Sequence, residues 1–212
     1  MIENPNSKIS GLTIERLTLY LRALNRLKAL KVENVVSREL SDMLGISAFI
    51  IRKDISQFGQ FGSVKSGYNV NELIENISNI LGVKKSQDAV IIGAGNLGKA
   101  LMGYRSFAQY DFNIRAAFDI DDNKIKKEFF GIKCLNYSEL EKYLSENSIK
   151  IGIITVPDKA AQDVADTLVK LGVKGILNFS PVVLKVPKYI KLIDVDFISR
   201  LQILSYYIKE KR

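Results

Sequence analysis

The chain changes its hydrophobic pattern once along its length. Residues 12–81 carry apolar positions at helical spacing, interrupted by Gly-rich turns, whereas residues 88–196 alternate short β-branched runs with helical patterns. The polar segment 82–88 begins at a glycine and precedes a predicted strand, which is typical of a linker. We therefore expect two domains and a helical C-terminal segment.

A first helix is predicted near the N-terminus. Leu17, Leu21 and Leu24 keep helical spacing after Thr13, which is a favourable N-cap residue. The pattern predicts that this helix ends near Lys31 and that its leucines belong to the core.

Two shorter helices are predicted next. Ser37 is expected to cap a helix that ends at Leu44, and Ser47 is expected to cap a third helix that reaches about Phe58. Between them, Gly45-Ile46 predicts a tight turn. Short helices joined by a tight turn predict a helix-turn-helix.

The third helix separates apolar from polar residues. Ile51 and Ile55 lie four positions apart on one face, which leaves Arg52, Lys53 and Gln57 for the outer face. In the major groove of DNA, Arg and Lys can contact guanine and Gln can contact adenine. The sequence therefore predicts a recognition helix.

A wing is predicted after the recognition helix. The segment Phe58–Tyr68 holds three glycines and one lysine, Lys65, a composition typical of a tight hairpin that could follow the DNA backbone. The alternative is a three-helix packing unit with a solvated basic face, because helix-turn-helix patterns also occur in proteins that do not bind DNA.

A glycine-rich turn opens the second half of the chain. The apolar strand Ala89–Ile92 is followed by Gly93, Gly95 and Gly98, and a helix is predicted from about Asn96. In this context the first glycine permits a tight turn, the second lets the backbone approach a pyrophosphate, and the third permits close helix packing. The helix N-terminus would face the anion.

An acidic residue follows the next predicted strand. Ile114–Phe118 ends at Asp119, which is 21 positions beyond Gly98. A carboxylate there accepts hydrogen bonds from an adenosine ribose and repels a 2′-phosphate, so NAD(H) is favoured over NADP(H). No arginine lies nearby to reverse that preference. The alternative is a Gly-rich turn and a surface Asp in a sheet that binds nothing.

Three further strands complete an open parallel sheet in this interpretation. They are predicted at Ile151–Thr155, Gly175–Phe179 and Lys191–Val195, with a helix at about Lys159–Leu171. Thr155, Val156, Pro157 and Asn178 lie at strand carboxyl ends, where doubly wound sheets bind ligands. Alternatively, Pro157 simply begins a helix and Asn178 caps a turn.

The last predicted helix is apolar around much of its circumference. Phe197, Leu201, Leu204 and Ile208 share one face, and Ile198, Ile203, Tyr206 and Tyr207 broaden it. Such a helix requires burial on several sides, which a swap into a partner subunit would provide. The alternative is packing onto its own sheet.

Composition narrows the classes of function. The 31 basic and 23 acidic residues give a net charge of +8, which favours nucleic acid as a partner, followed by an anionic membrane surface. No apolar run is long enough to span a bilayer, and the N-terminus has no export pattern.

The side chains that enzymes and metal sites use most are scarce. Cys134 is the only cysteine, which excludes an intramolecular disulfide framework and fits a reducing cytoplasm. The absence of histidine excludes His-dependent triads and HExxH zinc chemistry, and we expect no metal. The second half also has no room for a substrate domain, which argues against a dehydrogenase.

The chain resembles the Rex family of redox-sensing transcriptional repressors of bacteria. The resemblance covers nearly the whole chain and rests on these segments: Tyr20-Leu-Arg22, Ala48–Ser56, Phe58–Gly62 with Gly67-Tyr68, the Gly93 fingerprint, Phe118–Asp121, Thr155–Pro157, Gly175–Pro181 and Val195–Phe197. It implies an α/β chain with a winged helix-turn-helix domain over 1–82, a Rossmann domain with a doubly wound parallel sheet over 86–196, and a domain-swapped helix over 197–212.

The resemblance also implies partners and residue roles. A homodimer would bind double-stranded operator DNA with an inverted repeat, sense NADH and NAD+, and release the DNA when NADH binds. Tyr104 and the partner's Phe197 would lie near the nicotinamide, while Arg22, Tyr104 and Asp196 would exchange polar contacts between states. Ser47 and Lys65 occupy positions where the family touches DNA.

The complete set of expected contacts follows from the motifs and the resemblance together. Expected cofactor contacts are Gly93, Gly95, Asn96, Leu97, Gly98, Tyr104, Asp119, Thr155, Val156, Pro157, Asn178 and Phe197. Expected DNA contacts are Ser47, Arg52, Lys53, Gln57 and Lys65. Two other functions stay open at this point: an NAD-dependent oxidoreductase with a basic N-terminal appendage, and a constitutive DNA-binding protein that ignores nucleotides.

Overall fold

The chain divides into two compact units. The computed structural model describes residues 9–59 and 67–209. The units are Met1–Lys85 and Ser86–Arg212, and the division between them falls inside the polar segment 82–88. None of the described helices has the length and apolarity needed to span a membrane.

The first unit is a helical domain with a small sheet. Its described elements are α1 (Gly11–Ala29), β1 (Asn34–Val35), α2 (Ser37–Leu44), α3 (Ala48–Ser56), β2 (Tyr68–Asn69) and α4 (Val70–Leu81). β1 and β2 pair antiparallel. Gly45 ends α2 in the left-handed conformation, with a φ of 67°, and so forms the turn of the predicted helix-turn-helix. The predicted wing lies largely outside the described residues.

Burial agrees with the predicted faces of this unit. Leu17 and Leu24 of α1 and Ile51 of α3 are fully buried, and Ile55 is nearly so. They form one core cluster together with side chains from α2 and α4. The core therefore holds α3 against the other helices by its apolar face.

Two predicted helix caps are wrong. Ser10, rather than Thr13, caps α1, because its hydroxyl accepts the Thr13 backbone N–H at 3.1 Å. Ser37 lies within α2, which begins after Val36, and the Glu39 carboxylate accepts the Val36 N–H at 2.8 Å. The predicted Ser47 cap of α3 is confirmed, with its hydroxyl 3.3 Å from the Phe49 nitrogen. α1 and α3 end two residues earlier than predicted, at Ala29 and Ser56.

The second unit is a doubly wound α/β domain. Its described elements, besides a short 3-10 helix at Tyr137–Glu139, are β3 (Gln87–Ile92), α5 (Asn96–Met102), α6 (Ser106–Gln109), β4 (Phe112–Asp119), β5 (Glu128–Phe129), β6 (Ile132–Asn136), α7 (Leu140–Glu146), β7 (Ile151–Ile154), α8 (Asp158–Lys170), β8 (Gly175–Asn178), β9 (Lys191–Asp194) and α9 (Phe197–Lys209). The strand order is β5-β6-β4-β3-β7-β8-β9. The order reverses between β3 and β7, which is where such sheets bind ligands.

The sheet has an apolar core on each face. One core packs α7 and α8 side chains, such as Leu140, Val164 and Leu168, against Val90 and Phe118 of the sheet. The other contains Met102 of α5 together with Ile91, Ala117 and Cys134. Both faces of the central strands are covered, as their continuous apolar sequences require.

The sheet is not wholly parallel as predicted. β5 runs antiparallel to β6 at one edge. The prediction missed this edge because β5 is only two residues long, too short to show a periodic pattern. The strands β4, β3, β7, β8 and β9 are parallel, as predicted.

The C-terminal helix is exposed along its whole described length. No residue of α9 is buried, and Phe197, Leu201, Leu204 and Ile208 are each more than half exposed. The alternative that this helix packs onto its own sheet is therefore wrong. The swap into a partner stays a prediction.

Candidate functional site

A cleft opens at the carboxyl ends of the central strands. Its volume is about 640 Å³, within the usual range for small-molecule sites. Six of the predicted cofactor residues line it, namely Gly93, Gly95, Asp119, Thr155, Val156 and Pro157. The residues between β3 and α5, after β4 and after β7 therefore meet at one place.

Packing against Thr155 fixes the turn after β3. Gly93 has a φ of 104°, and a Cβ there would lie 2.8 Å from the Thr155 carbonyl oxygen. The Thr155 hydroxyl donates to the Gly93 carbonyl at 2.7 Å. A Cβ at Gly98 would collide with that same Gly93 carbonyl. Both glycines are therefore required by the protein's own packing.

Gly95 differs from these two glycines. A Cβ at Gly95 would meet no protein atom within 4 Å, and Gly95 lines the cleft. Its φ of −71° is open to any residue. Protein packing therefore does not require a glycine here, whereas a ligand that approaches the backbone would.

Asp119 lies at the end of β4 and is held by three donors. Its carboxylate accepts the Ala94 N–H at 2.7 Å, the Asp121 N–H at 2.9 Å and the Lys124 ammonium at 3.2 Å. Burial alone would raise the pKa of Asp119, but these hydrogen bonds outweigh it and lower the pKa. Asp119 is therefore a carboxylate at neutral pH, and it ties the Gly-rich turn to β4.

Several cleft residues were missed by sequence reasoning. Lys124, Asp121, Tyr137 and Asp163 also line the cleft. The search for a cation near Asp119 considered only arginine. A lysine five positions after the acidic residue was the available signal.

Other predicted cofactor residues do not line this cleft. Asn96, Leu97 and Gly98 begin α5. Tyr104 is 56% exposed and lines a separate pocket of about 720 Å³, where its ring packs edge-on against Phe107. The Phe197 ring lies 6.2 Å from that of Phe179. Cofactor contacts by these residues stay predictions.

The Asn178 side chain is used by the protein itself. It is 1% exposed, and its amide donates to the Asp194 carboxylate at 2.7 Å and to the Val182 carbonyl at 3.0 Å. Its side-chain oxygen accepts the Ser180 N–H at 2.9 Å. These bonds correspond to the alternative in which Asn178 shapes a turn. Any contribution to ligand binding would then be through the position of Ser180, whose hydroxyl donates to the Val156 carbonyl.

The predicted recognition helix presents its polar face to solvent. Arg52, Lys53 and Gln57 are exposed, and the Arg52 guanidinium donates to the Ser37 hydroxyl of α2 at 3.0 Å. Phe49, which sequence reasoning did not single out, is 66% exposed on the same helix. Lys65 lies outside the described residues.

A buried acid anchors this helix. Asp54 is 2% exposed, and it accepts two hydrogen bonds from Arg16, at 2.6 and 2.8 Å, and one from the Tyr20 hydroxyl at 2.8 Å. Burial alone would raise the pKa of Asp54, but the bonds from Arg16 and Tyr20 outweigh it and lower the pKa. The ion pair fixes α3 on α1.

The predicted switch residues are exposed. Arg22 projects from α1, and Asp196 precedes α9. The Asp196 carboxylate accepts the Ile198 and Ser199 N–H groups, at 2.8 and 3.1 Å, and the Ser199 hydroxyl. The hydroxyl of Ser199 first, and then these N–H groups, lower the pKa of Asp196. In this structure, Asp196 is therefore the N-cap of α9.

Family models match both halves of the chain. Residues 8–56 match the family described as "Putative DNA-binding protein N-terminus", and residues 84–182 match the "CoA binding domain" family. The first match covers α1 to α3, and the second covers the glycine-rich turn and the cleft.

Individual proteins resemble the chain along nearly its whole length. The redox-sensing transcriptional repressor Rex of Carboxydothermus hydrogenoformans is 43% identical over 95% of this chain and 97% of its own. The Rex-family repressor RSP has been solved with NADH, at 38% identity, TM-score 0.88 and 97% coverage of both chains. It has also been solved with NAD+ and operator DNA, at 39% identity, TM-score 0.91 and coverage of 97% of this chain and 95% of RSP.

Proposed function

The chain belongs to the Rex family of redox-sensing transcriptional repressors, and on that premise we propose that it binds operator DNA and is released when NADH binds its Rossmann domain. It would thereby report the balance of NADH and NAD+. One observation carries this proposal: the same chain joins a helix-turn-helix with an exposed basic recognition helix to a nucleotide cleft with an acid at the end of β4. It would act in the cytoplasm, where bacterial operators lie.

The first unit supports the DNA-binding half of the proposal. Arg52, Lys53 and Gln57 are the side chains we assign to the major groove, and the Asp54 ion pair holds them in place. Ser47 caps this helix at the end where backbone N–H groups can approach phosphates. We assign Lys65 to the DNA backbone from the resemblance alone.

The cleft of the second unit fits a dinucleotide. Gly95 leaves room for a backbone approach, and Asp119 offers a carboxylate to an adenosine ribose. The remaining lining residues, Thr155, Val156 and Pro157, would form the wall on the β7 side. The cofactor brings a nicotinamide that is charged when oxidised and neutral when reduced. We assign the sensing of that difference to Tyr104 and to the partner's Phe197.

Coupling would require a second copy of the chain. The exposed apolar residues of α9 match a helix that a partner subunit buries, and two-fold symmetry matches an inverted-repeat operator. We propose that Asp196 contacts Arg22 in one state and Tyr104 in the other. A ligand shifts such an equilibrium only by its differential affinity for the two states.

We infer a regulatory rather than an enzymatic role. The relatives are named as repressors, and a proton relay in this chain would have to work without histidine. Sustained oxidation of NADH with small carbonyl compounds would instead favour the oxidoreductase alternative.

The proposal is tested by selection from a DNA library. Full-length protein is incubated with duplexes that carry random inverted repeats, and bound duplexes are recovered with and without NADH. We expect enrichment of one palindromic sequence and its loss with NADH. Enrichment that ignores both nucleotides would instead indicate a constitutive DNA-binding protein.

A further inference from the structure

The acid at the end of β4 is paired with a lysine inside the cleft. The Lys124 ammonium lies 3.2 Å from an Asp119 oxygen and 3.3 Å from an Asp121 oxygen. The Lys124 side chain is 26% exposed and lines the cleft together with both acids. Burial opposes the charged form of Lys124, but the bonds to Asp119 and Asp121 outweigh it and raise its pKa. The lysine is therefore a cation at neutral pH.

The lysine changes the electrostatics of the ribose site. Two carboxylates alone would repel a 2′-phosphate, whereas the ammonium cancels one of the two negative charges. An ammonium on a flexible stem has three donors, so it can turn from a carboxylate to a nearby phosphate. A 2′-phosphate beside Asp119 would thus meet a cation as well as two anions.

The fold around this cluster does not depend on the ammonium. Asp119 keeps its bonds from the Ala94 and Asp121 N–H groups, at 2.7 and 2.9 Å. The following turn is held by backbone bonds from Lys124 and Ile125 to the Asp121 carbonyl, at 2.8 and 3.2 Å. The side chain of Lys124 can therefore be changed without unfolding the loop.

We propose that Lys124 is a specificity-determining residue that weakens the cleft's discrimination against nucleotides with a 2′-phosphate. This inference rests on the proposed function and refines it. Asp119 sets the preference for NADH, and Lys124 limits its size, so NADPH binds with lower but measurable affinity.

The test compares the dissociation constants of NADH and NADPH by nicotinamide fluorescence, using full-length wild type, Lys124→Gln, Lys124→Arg and Lys127→Gln. We expect the ratio of the NADPH to the NADH constant to rise about tenfold in Lys124→Gln, mainly through loss of NADPH binding, because an unshielded charge in a half-buried cleft interacts at this scale. Lys124→Arg keeps the cation and should retain a ratio near that of wild type. Lys127 is exposed, so Lys127→Gln should change nothing.

Asp121→Asn provides an independent check. Removal of one carboxylate leaves Lys124 freer to meet a phosphate, so the ratio should fall below that of wild type. If Lys124→Gln weakens both nucleotides equally, or leaves the ratio unchanged, Lys124 only braces the loop and the inference is wrong. A wild-type chain that binds neither nucleotide would contradict the proposed function itself.

Discussion

Asp54 decides how the recognition helix sits on the first unit. It is a buried carboxylate whose partners, Arg16 and Tyr20, lie on α1. The neighbouring Lys53 points outward, so the two adjacent residues have opposite environments. A buried charge of this kind is stable only while its hydrogen bonds are complete.

Tyr20→Phe should therefore lower the free energy of unfolding of the first unit by about 1.5–3 kcal/mol, since it removes one hydrogen bond to a charged group. The measurement is urea unfolding followed by circular dichroism, with the exposed Tyr110→Phe as the matched control. Equal stability of the two variants would show that the Tyr20 hydroxyl contributes nothing.

The same network predicts a pH dependence. The folded pKa of Asp54 is lowered, so its contribution to stability is present above its unfolded pKa of about 3.9 and is lost as the pH falls through the folded pKa. Burial raises the pKa of Tyr20, and the hydrogen bond to Asp54 raises it further. Its contribution is present below about pH 10 and is lost as the pH rises through the folded pKa.

Asp119→Ala should weaken NADH binding and narrow the gap between NADH and NADPH. The change removes a ribose acceptor and an anion that repels the 2′-phosphate. Calorimetry of both nucleotides measures this, with Asp122→Ala as the control, because Asp122 is an exposed acid of the same loop. An unchanged preference would remove Asp119 from the ribose site.

Residues differ in how well the sequence predicts them. Gly93, Gly95 and Asp119 follow from a local pattern, because a strand, a turn and the next strand end determine where they lie. Lys124 and Asp54 do not follow from such a pattern. The partner of Asp54, Arg16, is 38 positions away in the chain, so only the packing of α1 against α3 shows the pair.

At the scale of elements, long periodic segments are predicted well and their ends less well. α1 and α8 were predicted to within two or three residues, since an apolar stripe identifies a helix regardless of its cap. Thr13 and Ser37 were misplaced as caps because several hydroxyl residues compete near each helix start. Ser10 caps α1 since its side chain reaches the Thr13 N–H.

The recognition helix should carry much of the operator affinity. The double variant Arg52→Ala, Lys53→Ala should weaken operator binding and reduce the slope of log affinity against log salt by about 2, if each cation neutralises one phosphate. Fluorescence anisotropy at several salt concentrations measures this. The control, Arg26→Ala with Lys28→Ala, removes the same charges from the last turn of α1. Equal losses in both variants would indicate nonspecific charge attraction.

The apolar face of α9 should carry the dimer. Leu201→Asp with Leu204→Asp should raise the dimer dissociation constant by at least about a hundredfold, because burial of an unpaired carboxylate costs several kcal/mol. Sedimentation equilibrium measures the constant. In the control, Gln202→Asp with Ser205→Asp adds the same charges to the more polar face. A dimer that persists in the leucine variant would place the interface elsewhere.

At the scale of the whole molecule, the proposal joins two units that could each serve other functions. A helix-turn-helix alone indicates DNA, and a glycine-rich cleft alone indicates a nucleotide. Their presence in one chain, with similarity to Rex repressors along 95% of its length, makes the coupling between them the central claim. Sequence patterns predicted both units, but a coupling depends on two states of an assembly, which no local pattern describes.

Asp196 offers a way to separate that coupling from folding. Because Asp196 caps α9, alanine would remove a cap together with a charge. Asp196→Asn keeps a capping oxygen and removes the charge. It should still bind NADH and operator DNA while transmitting less between them, and undiminished coupling would refute the proposed relay through Arg22 and Tyr104.

The most direct test is a reciprocal linkage measurement on wild-type protein. Operator affinity is measured with saturating NADH, with NAD+ and with neither, and NADH affinity is measured with and without operator. We predict that NADH weakens DNA binding by about 5- to 150-fold, the usual range of allosteric coupling, and that operator weakens NADH binding by the same factor. NAD+ should leave operator binding largely intact. Operator affinity that is unchanged by NADH, with NADH bound, would contradict the account.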